Sequence, residues 1–494
     1  MQLALDEINS LIVEGKSAPA RAKLRALVSK KVAPNHRVQV ASFARRLSLP
    51  LIGLSILNPI VRPTGRSSLK PTPQEVAEYA ATLSYIGASE EAIALLKTLN
   101  PTAIPQSLLF LAFAHFSRWE YAEALPHLQK YVSSPLLTDY QRLVGKVNLL
   151  AALVYERQLK EALPLIVELL KLTTDGNYYL LLGNTLELAA QLSIANGNFK
   201  EARHYLKSSL KALEHSDSWD SFFVSKWEVI AELIESKASK KSLVHLNEIR
   251  ELALKKKHWE TVRDCDRFEA ICRHDHTILS RVYFGTPFSA FRSRLIADFG
   301  NPAKMETSYA WDLGMFETNT DTYCKLEVNL GTLHIKNKTK QLKVGQSMHR
   351  LLMTLSSDFY RPLRVAVLHH HIYPQEYFHP SAAPHKVHEV VRRLRLWFSK
   401  AKVPLEINES DGFYQLKANA PTRIMTQIAP TQLNRELLLI DKLRRLSAGK
   451  DFNIRDVAAH LHLSVRAALR IVAAAKTAGL LKLTGKGPSS RYHF

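Results

Sequence analysis

The sequence predicts a mainly α-helical chain in which a long helical array is followed by two smaller α+β modules. Three observations lead to this prediction. Apolar residues recur every three or four positions from about residue 3 to residue 276, without a clear strand-like alternation. A short Glu-Ala segment recurs within that region. After about residue 326, alternating apolar stretches accompany amphipathic helices twice in succession.

The length of 494 residues exceeds what one hydrophobic core usually serves, so several domains are expected. The composition and pattern changes divide the chain into five parts. These are a helical segment (1–72), a helical repeat domain (73–278), a linking or bridging segment (279–325), a first α+β module (326–421) and a second one (432–494).

The positive charge of the chain is concentrated near its C-terminus. Residues 327–421 contain 14 Lys and Arg against 7 Asp and Glu, and residues 422–494 contain 13 against 4. These stretches therefore carry +16 of the formal net charge of +22. Charge that served only solubility would be spread evenly, whereas a concentrated basic region is typical of a nucleic-acid-binding surface.

The sequence lacks the motifs that are typical of several functional classes. Cys265, Cys272 and Cys324 are too few and too irregular for a disulfide framework or a zinc site, and the His clusters lack metal-ligand spacing. No phosphate-binding Gly loop, nucleophile elbow or zinc-protease motif occurs. We therefore expect no enzyme, no metal and no cofactor. Asp6 and Glu7 stand where a secretory signal would be positive, and no apolar run reaches roughly 18 residues, so a cytoplasmic protein without a membrane partner is expected.

The helical array contains four copies of the Glu-Ala segment, each after a short turn. The copies begin at Glu91, Glu123, Glu161 and Glu201. A small Ala at the start of the second helix of a pair, where neighbouring helices must approach closely, resembles the tetratricopeptide repeat of about 34 residues. The spacing drifts, and the Trp of that family is mostly absent. The resemblance implies stacked helix pairs with a groove that holds a peptide, a protein partner or the second copy of a homodimer. The alternative is a purely structural spacer.

The first module contains two strands, three helices and a hairpin that turns at Asp411 and Gly412. Its third helix, 385–401, has one apolar seam and an opposite polar face. The polar face carries the candidate DNA-contacting residues Lys386, Glu389, Arg392 and Arg393.

This third helix is followed by a hairpin that carries Gly412-Phe413-Tyr414. Together they resemble the third helix and hairpin of the OmpR/PhoB-type DNA-binding domain, which is a winged helix. The resemblance implies that the helix enters the major groove, where Arg392 and Arg393 contact bases or phosphates and Lys386 and Glu389 lie near the groove floor. Leu396 and Trp397 depart from the family pattern. No receiver domain precedes the module, so phosphorylation control is not implied. The alternative is a solvated basic helix face.

The second module carries Ile454-Arg455-Asp456-Val457-Ala458, then Leu463-Ser464 and an amphipathic helix that ends before Gly479. This order is similar to a common bacterial helix-turn-helix pattern. We expect Ser464 to cap the recognition helix, and Leu463 and Leu469 to belong to the core. Its remaining candidate DNA-binding residues are Arg466 and Arg470 on the exposed helix face, and Lys482, Lys486 and Arg491 on the wing. The alternative is a winged helix that contacts proteins.

These features together predict a DNA-binding transcriptional regulator, in which an α-helical repeat array precedes two α+β winged-helix domains. Double-stranded DNA would be one partner, and a protein or peptide in the repeat groove would be the other. A scaffold whose repeats and winged helices all bind proteins is the alternative from another class. RNA or nonspecific nucleic-acid binding is disfavoured, because the basic helices lack stacking aromatic residues.

Overall fold

The structure is a computed structural model that describes residues 1–13, 16–29, 32–63, 70–214, 220–300, 306–313, 324–335, 338–428, 435–447, 449–485 and 490–494. It divides into two compact units. The first unit comprises Met1–Val282, Phe288–Pro302 and His379–Ser381, and the second comprises Tyr283–Pro287, Ala303–Phe378 and Ala382–Phe494.

The first unit is entirely helical in its described residues. It opens with four helices that bury Leu5, Leu24 and Phe43 in a core of their own. The helices are α1 (Gln2–Val13), α2 (Ser17–Val28), α3 (Arg37–Arg46) and α4 (Pro50–Val61), with a 3-10 turn at Pro34–His36.

The rest of the first unit is an array of stacked helices, as predicted. Its members are α5 (Pro73–Tyr85), α6 (Ser89–Leu96), α7 (Gln106–Phe116), α8 (Tyr121–Val132), α9 (Asp139–Tyr155), α10 (Leu159–Asp175), α11 (Tyr179–Ala195), α12 (Phe199–Leu213), α13 (Asp220–Glu235), α14 (Lys240–Lys255), α15 (Trp259–Arg273), α16 (His276–Phe284) and α17 (Ser289–Phe299).

The repeated Glu-Ala segment begins the second helix of four successive pairs. Its alanines are fully buried, so a larger side chain would separate the packed helices; they are Ala92, Ala124, Ala162 and Ala202. The turn inside each pair contains a residue with positive φ, which ends the first helix and reverses the chain. That residue is Gly87 or Gly197 in two turns and Trp119 or Arg157 in the others. The helical repeat array predicted from the sequence is thereby confirmed.

Part of the stretch assigned to a bridging segment is helical. The run from Arg281 to Gly285 has a composition typical of a strand, but its first four residues form the end of α16. Leu279, Val282 and Phe284 are all buried, and the first two lie three positions apart on one face of that helix. The next helix is α17, and Gly300 ends it with a φ of 92°.

The second unit begins with a five-stranded sheet of order β1-β8-β2-β3-β4. The strands are β1 (Tyr309–Leu313), β2 (Cys324–Glu327), β3 (Thr332–Ile335), β4 (Lys338–Gln341) and β8 (Thr422–Thr426). Strand β8 lies between β1 and β2, and it pairs antiparallel with β1 and parallel with β2. Strand β1 comes from the stretch that the sequence assigned to a bridging segment.

Three helices and a second sheet complete the first module. The helices are α18 (Ser347–Leu355), α19 (Val365–Ile372) and α20 (Ala382–Ala401). The sheet has the order β5-β7-β6, from β5 (Leu363–Arg364), β6 (Leu405–Ser410) and β7 (Phe413–Ala418). The hairpin between β6 and β7 turns at Asp411 and Gly412, which both have positive φ, as a two-residue turn of this kind requires.

The second module contains α21 (Arg435–Ser447), α22 (Ile454–Leu461), α23 (Val465–Thr477) and a hairpin of β9 (Lys482–Thr484) and β10 (Arg491–His493). Its buried residues belong to the same apolar cluster as those of the first module, so the two share one core. The chain is therefore mainly α, with a helical repeat array followed by two winged-helix-like α+β modules. Within the described residues no single helix has the length and apolarity to cross a membrane; only α22 and α23 together meet that composition, and they are bent by 106°.

Candidate nucleic-acid interface

Helices α22 and α23 form a helix-turn-helix in the second module. A left-handed His462 (φ 52°) ends α22, and α23 starts three residues later at an angle of 106°. Helix-turn-helix pairs cross at about 90–120° after a turn of this length. Asn453 caps α22 in a reciprocal arrangement with Asp456, and the Ser464 hydroxyl accepts a hydrogen bond from the Ala467 amide at 3.3 Å. Ser464 thus occupies the N-cap position of α23 predicted from the sequence.

The outer face of α23 carries both predicted arginines. Arg466 and Arg470 are exposed and four positions apart, while the inner face is formed by Ala468, Ile471, Val472 and Ala475. Leu469 was wrongly assigned to the core, because it lies beside Arg470 on the outer face and is 50% exposed. Leu463 is half-buried and packs against the core.

The wing follows α23 directly. Lys482 pairs with His493 and Thr484 with Arg491 across the two short strands, and the Lys482 and Arg491 side chains are exposed. The Arg491 guanidinium lies 3.8 Å from the Asp456 carboxylate, so this cation connects the wing to the start of α22. Lys486, the third predicted wing cation, lies outside the described residues.

In the first module, helix α20 carries a charged outer face comparable to that of α23. Lys386, Glu389, Arg392 and Arg393 are all exposed, whereas the opposite side of the helix is buried through Val387, Val390, Val391, Leu394 and Phe398. The long helix therefore separates a core seam from a charged face, as its amphipathic pattern predicts.

Three of these charged residues already have partners in the free protein. The Lys386 ammonium donates to the Glu376 carboxylate at 2.5 Å, and this bond raises the pKa of Lys386. The Arg392 guanidinium donates to Glu389 at 2.8 and 3.0 Å, and this contact lowers the pKa of the Glu389 carboxyl.

Comparisons with known proteins assign this chain to no family. No family model matches the sequence, and no curated protein matches it. One solved structure to which the chain is similar is described as "Crystal Structure of Rap Protein Complexed with Competence and Sporulation Factor". The sequence identity is 12%, the match covers 60% of this chain and 88% of that one, and the TM-score is 0.42.

A further arginine of α20, Arg395, has a structural contact that the sequence did not indicate. Arg395 donates two hydrogen bonds to the Ile407 carbonyl, at 2.7 and 3.2 Å, and so attaches α20 to the hairpin. No periodicity distinguishes Arg395 from Arg392 or Arg393, since the partner is a backbone oxygen on another element. In the described part of the chain, no group of three or more His, Cys, Asp or Glu side chains could hold a metal ion.

Proposed function

We propose that this protein is a transcriptional regulator that binds double-stranded DNA through its second unit. The observation that carries the proposal is the helix-turn-helix of α22 and α23, with Arg466 and Arg470 on its outer face and a basic wing after it. A helix of this kind fits the major groove, and an adjacent wing contacts phosphates. An exposed Arg can bind guanine through two hydrogen bonds.

The first module supports the same proposal. Its charged helix face and its following hairpin resemble the OmpR/PhoB-type domain, in which the third helix enters the major groove. By that resemblance Arg392 and Arg393 contact DNA, with Lys386 and Glu389 beside them. The concentration of positive charge in residues 327–494 supplies long-range attraction to phosphates, so binding should weaken steeply as salt rises.

We assign the repeat unit a different role, which is to bind a protein or peptide partner or a second copy of the chain. Stacked helix pairs present extended surfaces suited to such partners. We place this activity in the cytoplasm and propose no catalytic step for the chain.

The second candidate function is a scaffold in which the winged helices bind proteins. Val465 and Leu469 favour it, because both are 50% exposed at adjacent turns of α23. Apolar side chains on an otherwise polar helix face are common in surfaces that contact proteins. The same two side chains also suit thymine methyl groups in the major groove, so a DNA-binding experiment distinguishes the two functions.

The test is selection of duplex DNA by the full-length chain. The chain is incubated with a random duplex pool at about 0.15 M salt, and the retained DNA is sequenced. Enrichment of a sequence motif supports the regulator, and weak retention without a motif indicates nonspecific binding. If no duplex is retained even at about 0.05 M salt, where phosphate contacts are strongest, the DNA-binding proposal is wrong and the scaffold is favoured.

A further inference from the structure

The last helix of the first unit, α17, contacts repeats that are far from it in the sequence. The Phe291 ring meets the Trp119 ring edge to face, with centroids 4.8 Å apart. The Asp298 carboxylate accepts one hydrogen bond from Arg267 at 2.6 Å and pairs with Arg157 at 2.9 Å, beside a bond at 2.9 Å from Arg294 of its own helix. Trp119 lies in the turn between α7 and α8, Arg157 in the turn between α9 and α10, and Arg267 on α15.

These contacts distinguish α17 from an ordinary member of the array. In a stack of helix pairs, each repeat contacts only its neighbours. A helix that touches the α7–α8 turn, the α9–α10 turn and α15 must instead lie across several repeats. We call the surface on which α17 lies the inner face, and it is formed by Trp119, Tyr121, Tyr155, Arg157, Arg263 and Arg267.

The inner face combines an aromatic cluster with cations. The Tyr121 and Tyr155 rings stack with centroids 4.1 Å apart, and the Trp119 ring lies 5.7 Å from that of Tyr155. The Arg263 and Arg267 guanidiniums lie 5.8 and 5.5 Å from the centre of the Phe291 ring. Such a surface suits a segment that supplies both an apolar ring and a carboxylate.

Helix α17 supplies both groups from one side. Phe291, Leu295 and Phe299 lie four positions apart and are buried. The Asp298 side chain is only 5% exposed, and burial of a carboxylate is favourable only when cations and hydrogen bonds compensate for the lost water. The aromatic residue and the carboxylate, seven positions apart, therefore define how α17 is recognised.

The inner face extends beyond the area that α17 covers. Beside these contacts, a cleft of about 470 Å³ lies between part of α17 and the turns, with Trp119, Glu120, Tyr155 and Arg294 among its lining residues. The Tyr155 hydroxyl is buried there and has no hydrogen-bond partner among the described residues. A longer or larger segment than α17 could fill this space and satisfy that hydroxyl.

We propose that the inner face is a peptide-binding surface that α17 occupies as a built-in ligand. Its external partner is a helical protein segment that presents an aromatic residue and, seven positions later, a carboxylate. This inference rests on the proposed role of the repeat unit in protein binding, and it adds the chemistry of the partner and the competition with α17.

Competition with α17 predicts weak binding of an added ligand to the unmodified protein. A tethered segment acts at an effective concentration of about millimolar, so a free peptide competes poorly with it. Asp298→Asn keeps the shape of α17 and removes the charge that Arg157 and Arg267 bind. We expect this variant to release α17 and to expose the inner face.

The experiment measures the fluorescence anisotropy of a labelled peptide as the full-length protein is added. The peptide has the sequence of residues 287–300. Asp298→Asn should bind the peptide at least about ten-fold more tightly than the unmodified chain or the matched control Asp175→Asn, an exposed carboxylate of α10. A peptide in which Asn replaces Asp298 should bind the Asp298→Asn protein about three-fold less tightly than the unmodified peptide does. This three-fold difference should shrink in the double variant Asp298→Asn, Arg157→Gln, which lacks one of the cations that bind the carboxylate. Because Arg157 is half exposed, its substitution should not disturb folding.

Circular dichroism and thermal unfolding check that each protein is folded. If Asp298→Asn does not fold, Arg157→Gln alone replaces it, because it weakens the same contact from an exposed position. Equal binding by all folded chains, or no binding by any of them, overturns the inference. Retention of random duplex DNA by the same proteins tests the DNA-binding proposal separately, so each can fail without the other.

Discussion

Glu389 and Arg392 form an ion pair on the outer face of α20, with 2.8 Å between a carboxylate oxygen and a guanidinium nitrogen. The two residues are three positions apart, so the helix itself brings them together. Arg392 is 70% exposed and is therefore available to DNA, but its guanidinium is already engaged by a carboxylate. If α20 enters a groove, that carboxylate competes with phosphate oxygens and base edges.

Substitution Glu389→Gln should therefore strengthen binding to duplex DNA. The change releases Arg392 and removes a negative charge from the interface, and we expect about two- to five-fold tighter binding at about 0.1 M salt. Arg392→Ala should weaken binding and reduce the slope of log K against log salt by about 1. Titrations of labelled duplex over a range of salt measure both. Glu248→Gln, with the same charge change on an exposed site of α14, is the control and should leave binding unchanged.

The paired substitution Arg466→Ala with Arg470→Ala should abolish most specific binding. Both side chains lie on the outer face of α23, so their removal should leave the core of the module intact. We expect at least about a ten-fold loss of affinity, with a salt slope lower by up to about 2. The pair Lys207→Ala and Lys211→Ala removes two exposed charges from α12 and controls for net charge. Equal losses in the two pairs would show that affinity follows net charge and not the helix face.

Local features of the fold could be predicted because each depends on nearby residues. The buried alanines at the start of α6, α8, α10 and α12 recur with the repeat. The turn at Asp411 and Gly412 follows from their tolerance of positive φ, and the N-cap role of Ser464 follows from its hydroxyl. In each case the physical requirement and the residue that meets it lie within a few positions.

Features that depend on distant residues could not be predicted in the same way. Strand β1 pairs with β8, for example Trp311 with Ile424, across an interval that contains the whole first module. The outward position of Leu469 is decided by which side of α23 faces the shared core. The docking of Asp298 on Arg157 and Arg267 depends on how the array curves. The spacing of apolar residues and the residue types do not specify these long-range arrangements.

Gly145 should be essential to the packing of the array, because there is no room for a side chain at this position. A Cβ there would lie 2.6 Å from the Tyr131 ring, which is almost fully buried and cannot move freely. Gly145→Ala should therefore lower the free energy of unfolding of the array by about 1–3 kcal/mol. Gly176→Ala is the comparison, because its Cβ would meet the ring of Tyr178, which is 38% exposed and can move aside, so this change should be better tolerated. Urea unfolding followed by helical circular dichroism measures the difference, and an equal loss in both would contradict this account of Tyr131.

A buried histidine should make the second unit sensitive to acid. The His349 ring accepts a hydrogen bond from the Gly345 amide at 3.2 Å and donates one to the Val328 carbonyl at 2.9 Å, so it is neutral. Burial lowers its pKa to about 4, and the positive charges of Lys442 and Arg350 act in the same direction.

Because the pKa of His349 is lower in the folded state than its usual value of about 6.5, the unfolded chain binds the proton more readily between these two values. The stabilising contribution of neutral His349 should be complete above about pH 6.5 and should be lost as the pH falls toward 4. At about 1.4 kcal/mol per pKa unit, the loss is on the order of 3 kcal/mol. Hydrogen exchange of the α18 amides should show it as a fall in protection, corrected for intrinsic exchange. His349→Gln should reduce this pH dependence, whereas His385→Gln, at an exposed position of α20, should leave it unchanged. An identical pH profile in His349→Gln would show that another group is responsible.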